Sequence, residues 1–395
     1  MAALLAIDDA LARVLAHARP LAAEDVDLRA AHGRVTAEPA SASIDLPPFP
    51  SSAMDGYAVR AVNTPGTLVV VDQSAAGRPA QKRLEDGEAI AISTGAVVPA
   101  GADAVVPVER ASVRDGEVEV ERVVKGDNVR DRGSDTVAGS LVVPPGTRIG
   151  PTQLAALAAA GVAAVSCARR PRVAILATGS ELRPPGARLA PGQIYESNGL
   201  LAAAQAAAAG ATAEVLDPVP DDEAVLRAAL QQGLEADVLV TSGGVSVGPH
   251  DLVRALLTDL GVEEVFWGVA IRPGKPLFFG VCGDVLVFGL PGNPVSSLVG
   301  FELFVRPALG ALQGLAEPRP RYLPGRLATA QRRSPARDDL VRARTRLEDG
   351  AVVLEPLSGQ ESHMIARAAA ADALVLIPRG EGELAAGSPV DYLAI

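Results

Sequence analysis

The chain has 395 residues, of which 48% are hydrophobic and 21% charged. That length calls for about two to four domains, and that balance excludes a disordered chain. A formal net charge of −11 excludes a non-specific nucleic-acid binder, so an anionic ligand would have to be held by a local cluster of donors.

Cys167 and Cys282 are the only cysteines, and His17, His32, His250 and His363 are scattered. Neither a disulfide framework nor a zinc site is implied. Asp8 and Asp9 stand where a signal peptide needs its apolar core, and no uninterrupted apolar run approaches membrane-spanning length. The expectation is a soluble cytoplasmic protein with no nucleic-acid or membrane partner.

Ile7, Leu11, Val14 and Leu15 recur with helical spacing, with Asp8 available as a cap. Pro47, Pro48 and Pro50 then break the chain. From about 55 to 145, short β-like runs (67–71, 89–92, 104–108) alternate with Gly and Pro, which predicts a small β-rich domain. Residues 151–160 read as a helix ended by Gly161. Beyond Pro171, strands are predicted over 172–177, 213–216, 237–240 and 285–288. Helices are predicted over 198–209, 221–232, 252–260 and 294–309. That alternation means a doubly wound parallel α/β domain. A Pro/Arg-rich linker over 318–324 leads to a β-rich end with a Leu347-Glu-Asp-Gly350 hairpin signal and a strand at 373–377.

The most informative loop is Thr241-Ser-Gly-Gly-Val-Ser-Val-Gly-Pro-His-Asp251, set between a buried strand and a helix. Glycines there let backbone N–H groups approach a phosphate, and Asp251 suits either an N-cap or a Mg²⁺ ligand. The loop lacks the ending of a Walker P-loop and does not fit the dinucleotide fingerprint. Two further loops, Ala177-Thr-Gly-Ser-Glu-Leu182 and Gly289-Leu-Pro-Gly-Asn-Pro-Val-Ser296, follow other strands. In the latter, Asn293 is placed to cap and Pro294 opens the helix. Ligands bind at the carboxyl ends of such strands, so three loops in one domain favour an extended anion site over ordinary turns. Ile271-Arg-Pro-Gly-Lys-Pro276 holds two cations around a stiff turn, which suits a small oxyanion or simply a solvated surface. Asp55, Thr94 and Asp135 sit in tight loops, where the residue types alone suggest turn chemistry.

Seven blocks together carry a resemblance: Ser52-Ala-Met-Asp-Gly-Tyr-Ala-Val59, Ser93-Thr-Gly-Ala96, Arg132-Gly-Ser-Asp135, Thr178-Gly-Ser-Glu-Leu182, Thr241-Ser-Gly-Gly-Val-Ser-Val-Gly248, Arg272-Pro-Gly-Lys-Pro276 and Leu290-Pro-Gly-Asn-Pro-Val-Ser296. In this order, nearly end to end, the chain resembles the molybdopterin molybdenumtransferase (MoeA) family, which includes the gephyrin E domain. The resemblance implies an α/β plus β multidomain fold. A discontinuous helical/linker domain (1–44 and 140–169, used for dimerisation) and a β-rich domain (45–139) would precede the α/β molybdopterin-binding domain (170–317) and a C-terminal β domain (318–395).

The resemblance also implies the last step of molybdenum cofactor synthesis. Molybdenum from molybdate enters adenylylated molybdopterin, with hydrolysis of the adenylyl linkage and release of AMP. Mg²⁺ or a similar divalent cation and a homodimer are expected, with contacts to the adenylyltransferase of the preceding step and to apo-molybdoenzymes. By position, Thr178, Ser242, Gly243, Gly244, Ser246, Pro291, Gly292, Asn293 and Pro294 would cradle pterin and nucleotide. Glu181, Asp221 and Asp251 would be the acidic group of the crevice, with Asp251 and Glu181 near the metal. Arg272, Lys275, Ser362 and either Arg337 or Arg342 would hold molybdate. Asp55, Thr94 and Asp135 would face the crevice across the subunit interface. The chain departs from the family pattern at Arg272 (commonly lysine), Pro249 (commonly acidic), Ser180 (frequently Asp) and Leu340 (frequently aromatic).

Three other readings share these motifs. A molybdopterin adenylyltransferase would be little more than the α/β domain, so segments 1–160 and 318–395 argue against it. A gephyrin-like binding scaffold finds no appended domain or long linker in its favour. The oxyanion could equally be tungstate, which has nearly the same size and charge.

Overall fold

The expected buried strands meet in one six-stranded sheet. The structure, a computed structural model, describes residues 4–220, 222–244 and 252–395. Across this sheet the order is Thr212–Val215, Arg172–Ala177, Val238–Ser242, Val285–Leu290, Phe278–Cys282 and Glu263–Trp267. The first four strands are parallel, and the last two run antiparallel to their neighbours. The fold class is the expected one, and the sheet is wider than the four predicted strands. The extra strand Phe278–Cys282 returns through the two-residue Gly283-Asp284 turn, with Gly283 at φ 57°.

Side chains alternate across each strand, so one strand feeds two cores. Val173, Ile175, Val238, Val240 and Phe288 pack on one face against helix Asn198–Ala208 and the long helical segment after Asn293. Ala174, Leu176, Leu239 and Val287 pack on the other against helices Glu223–Gly233 and Leu252–Asp259. Such strands are apolar throughout because both faces are covered.

Two expectations change here. Helix Ile7–His17 buries Ile7, Ala10, Leu11 and Val14 in the first of these cores rather than in an N-terminal domain. Its N-cap position is Ala6, and Asp8 sits in the first turn, where its charge favours the helix dipole without capping it. The last predicted helix is longer and interrupted: Pro294–Gly300 is α, Phe301–Val305 widens to π, and Arg306–Leu312 is α again. Pro307 supplies no N–H to the carbonyl one turn back, which accounts for the widening. Together these 19 residues are long and apolar enough to cross a membrane, but 83% of that stretch is buried inside the protein, as a core helix is.

Strands Ala23–Asp27 and Ala164–Ala168 pair across 137 or more residues of chain and share a small core of Val26, Leu28, Ile149, Leu157 and Val165. A six-stranded sheet between Gly56 and Val120 forms the second domain. At the C-terminal end, strand Asp338–Glu348 pairs with both Ala351–Pro356 and Ala373–Ile377, which closes the sheet on itself. Its first hairpin turns through Asp349 (φ 50°) and Gly350 (φ 76°), the double left-handed geometry of a two-residue loop. The short strand Ile271–Arg272 of the α/β unit pairs with Asp338–Asp339. That pairing docks the C-terminal barrel beside the carboxyl ends of the central strands.

Candidate functional site

Three loops leave the carboxyl ends of adjacent strands and are tied to one another by their backbones. Thr178 N donates to Ser242 O at 3.0 Å, and Gly243 N donates to Leu290 O at 3.1 Å. This spacing depends on glycine. Gly243 lies at φ 94°, and a Cβ there would stand 2.8 Å from the Thr178 carbonyl oxygen. Gly179, at φ 151°, lets the Glu181 carboxylate fold back over the loop, to where a Cβ would lie 2.5 Å from it.

Among the described residues, two clefts open on these loops. The smaller, about 240 Å³, is lined by Thr178, Glu181, Glu196, Asn198, Ser242 and Gly292. The larger, about 700 Å³, lies between the 272–276 turn and the C-terminal barrel, and Lys275, Arg337 and Ser362 are on its wall with Pro291. Asn293 lines both, so the two clefts adjoin. Asn293 holds the N-cap position of helix Pro294–Gly300, but its side chain makes no cap bond, contrary to the expectation from spacing. The Val295 N–H is taken by the Ser362 carbonyl at 3.0 Å, so the C-terminal loop closes that helix end.

The cations of the larger cleft are not equivalent. Arg272 donates Nε to Asp339 Oδ1 at 2.7 Å and Nη2 to Asp339 Oδ2. Asp339 is itself buried. The fork geometry of arginine is used on a protein carboxylate, and a lysine at this position could not make both bonds. Arg272 is therefore charge-compensated before any oxyanion arrives. Lys275 is half-buried, its backbone carbonyl accepts from Val269 N and Leu277 N, and among the described residues no carboxylate pairs with it. Of the two candidate arginines, Arg337 lines the cleft and Arg342 does not. Arg342 is 1% exposed and spends its donors on the carbonyls of Gly359, Glu361 and Met364 and on Gln360 Oε1. Burial lowers its pKa from the usual value, and the Glu361 charge opposes that shift. Its place is behind the loop that carries Ser362. Leu340, buried, lines the larger cleft.

Asp55, Thr94 and Asp135 are exposed and line neither cleft of their own chain. Asp55 Oδ1 accepts from Thr94 N at 2.7 Å, and Asp135 N donates to Leu46 O at 2.9 Å. Asp221, Ser246, Pro249 and Asp251 lie outside the described residues. Among the described residues no group of three His, Cys, Asp or Glu side chains is placed to hold a metal ion. The smaller cleft does hold two carboxylates, Glu181 and the buried Glu196.

Glu196, Asn198, Arg332 and Asp339 were not singled out by sequence. Glu196 and Asn198 stand beside a strand too short, Ile194–Tyr195, to show a period. Arg332 lines the larger cleft from strand Gln331–Arg332. Nothing local marks Asp339, whose partner is 67 residues away.

Comparison with known proteins covers the whole arrangement. Residues 5–161 match the MoeA N-terminal region (domain I and II), 174–311 a probable molybdopterin binding domain, and 324–395 the MoeA C-terminal region (domain IV). The chain is 34% identical to a molybdopterin molybdenumtransferase of Haemophilus influenzae over 98% of both chains. The chain belongs to the molybdopterin molybdenumtransferase family. It is also 38% identical to molybdopterin molybdenumtransferase 2 of Mycobacterium tuberculosis over 96% of both chains. The solved MoeA structure from Pyrococcus horikoshii OT3 has a TM-score of 0.84 at 28% identity, covering 99% of this chain and 100% of that one. Because the segments flanking the α/β unit also match this transferase family, the adenylyltransferase reading, built on the α/β unit alone, is set aside.

Proposed function

We propose that this chain inserts molybdenum into molybdopterin, taking adenylylated molybdopterin and molybdate as substrates and releasing AMP as the adenylyl linkage is hydrolysed. The observation that carries the reading is that the two clefts adjoin at Asn293. A glycine-lined cleft with backbone and hydroxyl donors suits a phosphorylated ligand, and the neighbouring cleft offers Lys275 and Arg337 to a small oxyanion. Holding both substrates side by side replaces a chance encounter with a fixed geometry. A divalent cation such as Mg²⁺ would shield the charge of the phosphoanhydride when bound. Glu181 and Glu196 are oxygen donors of the type that ion takes. In this chain Glu196 also accepts from the Gly199 N–H at 2.7 Å, which fixes its carboxylate beside the cleft. We place the enzyme in the cytoplasm.

The test is to quantify AMP release from adenylylated molybdopterin with each component omitted in turn. AMP release should require both molybdate and a divalent cation. ATP consumption with free molybdopterin, indifferent to molybdate, would overturn the assignment.

We further propose a homodimer in which Asp55, Thr94 and Asp135 of one subunit face the clefts of the other. Their exposure on their own chain, away from both clefts, supports this arrangement. Mixing inactive Asp55→Asn protein with inactive Glu181→Gln protein should restore activity, because one composite site of each heterodimer keeps both carboxylates. No recovery after verified subunit exchange would place both residues in the same subunit's site.

A further inference from the structure

Asn198 opens helix Asn198–Ala208 and is only 9% exposed on the wall of the smaller cleft. Its Nδ2 donates to Ser242 Oγ and to the Gly292 carbonyl, both at 2.8 Å. A carbonyl can only accept, so the Gly292 bond fixes which end of the amide faces the loops. Both amide hydrogens are then used, one on each ligand loop. The other end, Oδ1, is buried with no partner among the described residues. Buried acceptors are ordinarily satisfied, so an orphan here asks for a reason other than stability.

The reason lies in hydrogen-bond polarity. Because Ser242 Oγ accepts from Asn198, the hydroxyl hydrogen of Ser242 remains to be given, and Ser242 lines the cleft. The Gly292 carbonyl, whose lone pairs would repel an anion, is occupied by the second hydrogen. One nitrogen thus leaves the Ser242 hydroxyl hydrogen to be given and at the same time occupies the Gly292 carbonyl. The helix end contributes little by itself, since the Gly199 N–H is already taken by Glu196 Oε1 at 2.7 Å. No other common side chain of this size does the same: aspartate has no donor, and serine has one.

We propose that Asn198 is a positioning residue for the phosphate of the bound nucleotide. It acts through Ser242 and Gly292, setting their polarity and the spacing of loops 241–244 and 289–296. This rests on the nucleotide-binding reading given above.

The test is equilibrium binding of AMP, and of adenosine as the phosphate-free control, to the full chain. Asn198→Ala should weaken AMP binding by about tenfold or more, the scale of a lost hydrogen bond to a charged group, and leave adenosine within about twofold of wild type. Asn198→Asp keeps the shape of the side chain and serves as the second variant should the alanine protein fail to fold. It should lose AMP affinity at least as strongly. The pair with Ser242→Ala should be non-additive, because Asn198 acts on the ligand partly through the Ser242 hydroxyl. Equal AMP affinity in wild type and Asn198→Asp, or equal losses for AMP and adenosine, would overturn the proposal. A wild-type protein that binds no AMP would overturn the functional reading together with it.

Discussion

Lys275→Ala raises the molybdate concentration needed for half-maximal turnover by about tenfold or more, with little change in folding. Lys275 lies half-buried on the wall of the larger cleft, in a turn stiffened by Pro273 and Pro276 and fixed by two bonds to its backbone carbonyl. Its backbone role survives the substitution, so the loss is that of a charge-assisted hydrogen bond to the oxyanion. Such a bond is worth about 1.5–3 kcal/mol, and about 1.4 kcal/mol is already tenfold in affinity. Arg272 provides the contrast. Its guanidinium is bound to Asp339, so Arg272→Lys removes a bidentate pair between the α/β unit and the C-terminal barrel. That variant should lower the thermal midpoint and weaken molybdate less than Lys275→Ala does. Turnover against molybdate concentration, with a melting curve for each protein, decides between them. Unchanged molybdate dependence in Lys275→Ala would remove Lys275 from the site.

Gly243→Ala should disable the smaller cleft. A Cβ at this position meets the Thr178 carbonyl oxygen at 2.8 Å and Thr178 Oγ1 at 3.0 Å, and φ is 94°, where a side chain is strained whatever the space. The clashing atom is backbone of the neighbouring ligand loop and cannot swing aside. Strain of this kind costs about 1–3 kcal/mol. The relief available is to pull the loop away from the Leu290 carbonyl, which breaks the tie between two of the three loops. AMP and pterin binding should both fall by about tenfold or more, since both depend on that spacing. Gly261→Ala separates strain from site damage. Gly261 has φ 86° but nothing within 4 Å of its added Cβ, and it lies outside both clefts. It should lower stability alone and leave ligand affinity unchanged. Wild-type AMP affinity in Gly243→Ala would show that the loop tolerates a side chain.

Much of the fold is legible because its signals are local. Strands Arg172–Ala177 and Ala373–Ile377 have the predicted bounds, since an apolar run flanked by Pro, Gly or Asp leaves the backbone little else to do. The Asp349-Gly350 turn and the glycine that ends helix Pro151–Ala159 are likewise written in residues that alone accept a left-handed backbone. The three loops of the clefts are legible for the same reason, as glycine-rich exits from buried strands.

What only the tertiary structure decided is which groups meet. Arg272 looked like a free cation because its partner, Asp339, is 67 residues away and arrives only when the barrel docks. Arg342 stood beside Arg337 as the alternative oxyanion ligand, but strand Asp338–Glu348 turns it behind the 359–364 loop, where carbonyls consume its donors. Helix Ile7–His17 is amphipathic from its sequence alone, yet the core that receives its apolar face is built mainly by residues beyond 172. Asn198 was legible only as the start of a helix, because its two contacts span 44 and 94 residues of chain. Periodicity and turn chemistry are set within a few residues, so they can be read directly. The partner of a charge or an amide is set by how the layers pack, and no local pattern encodes it.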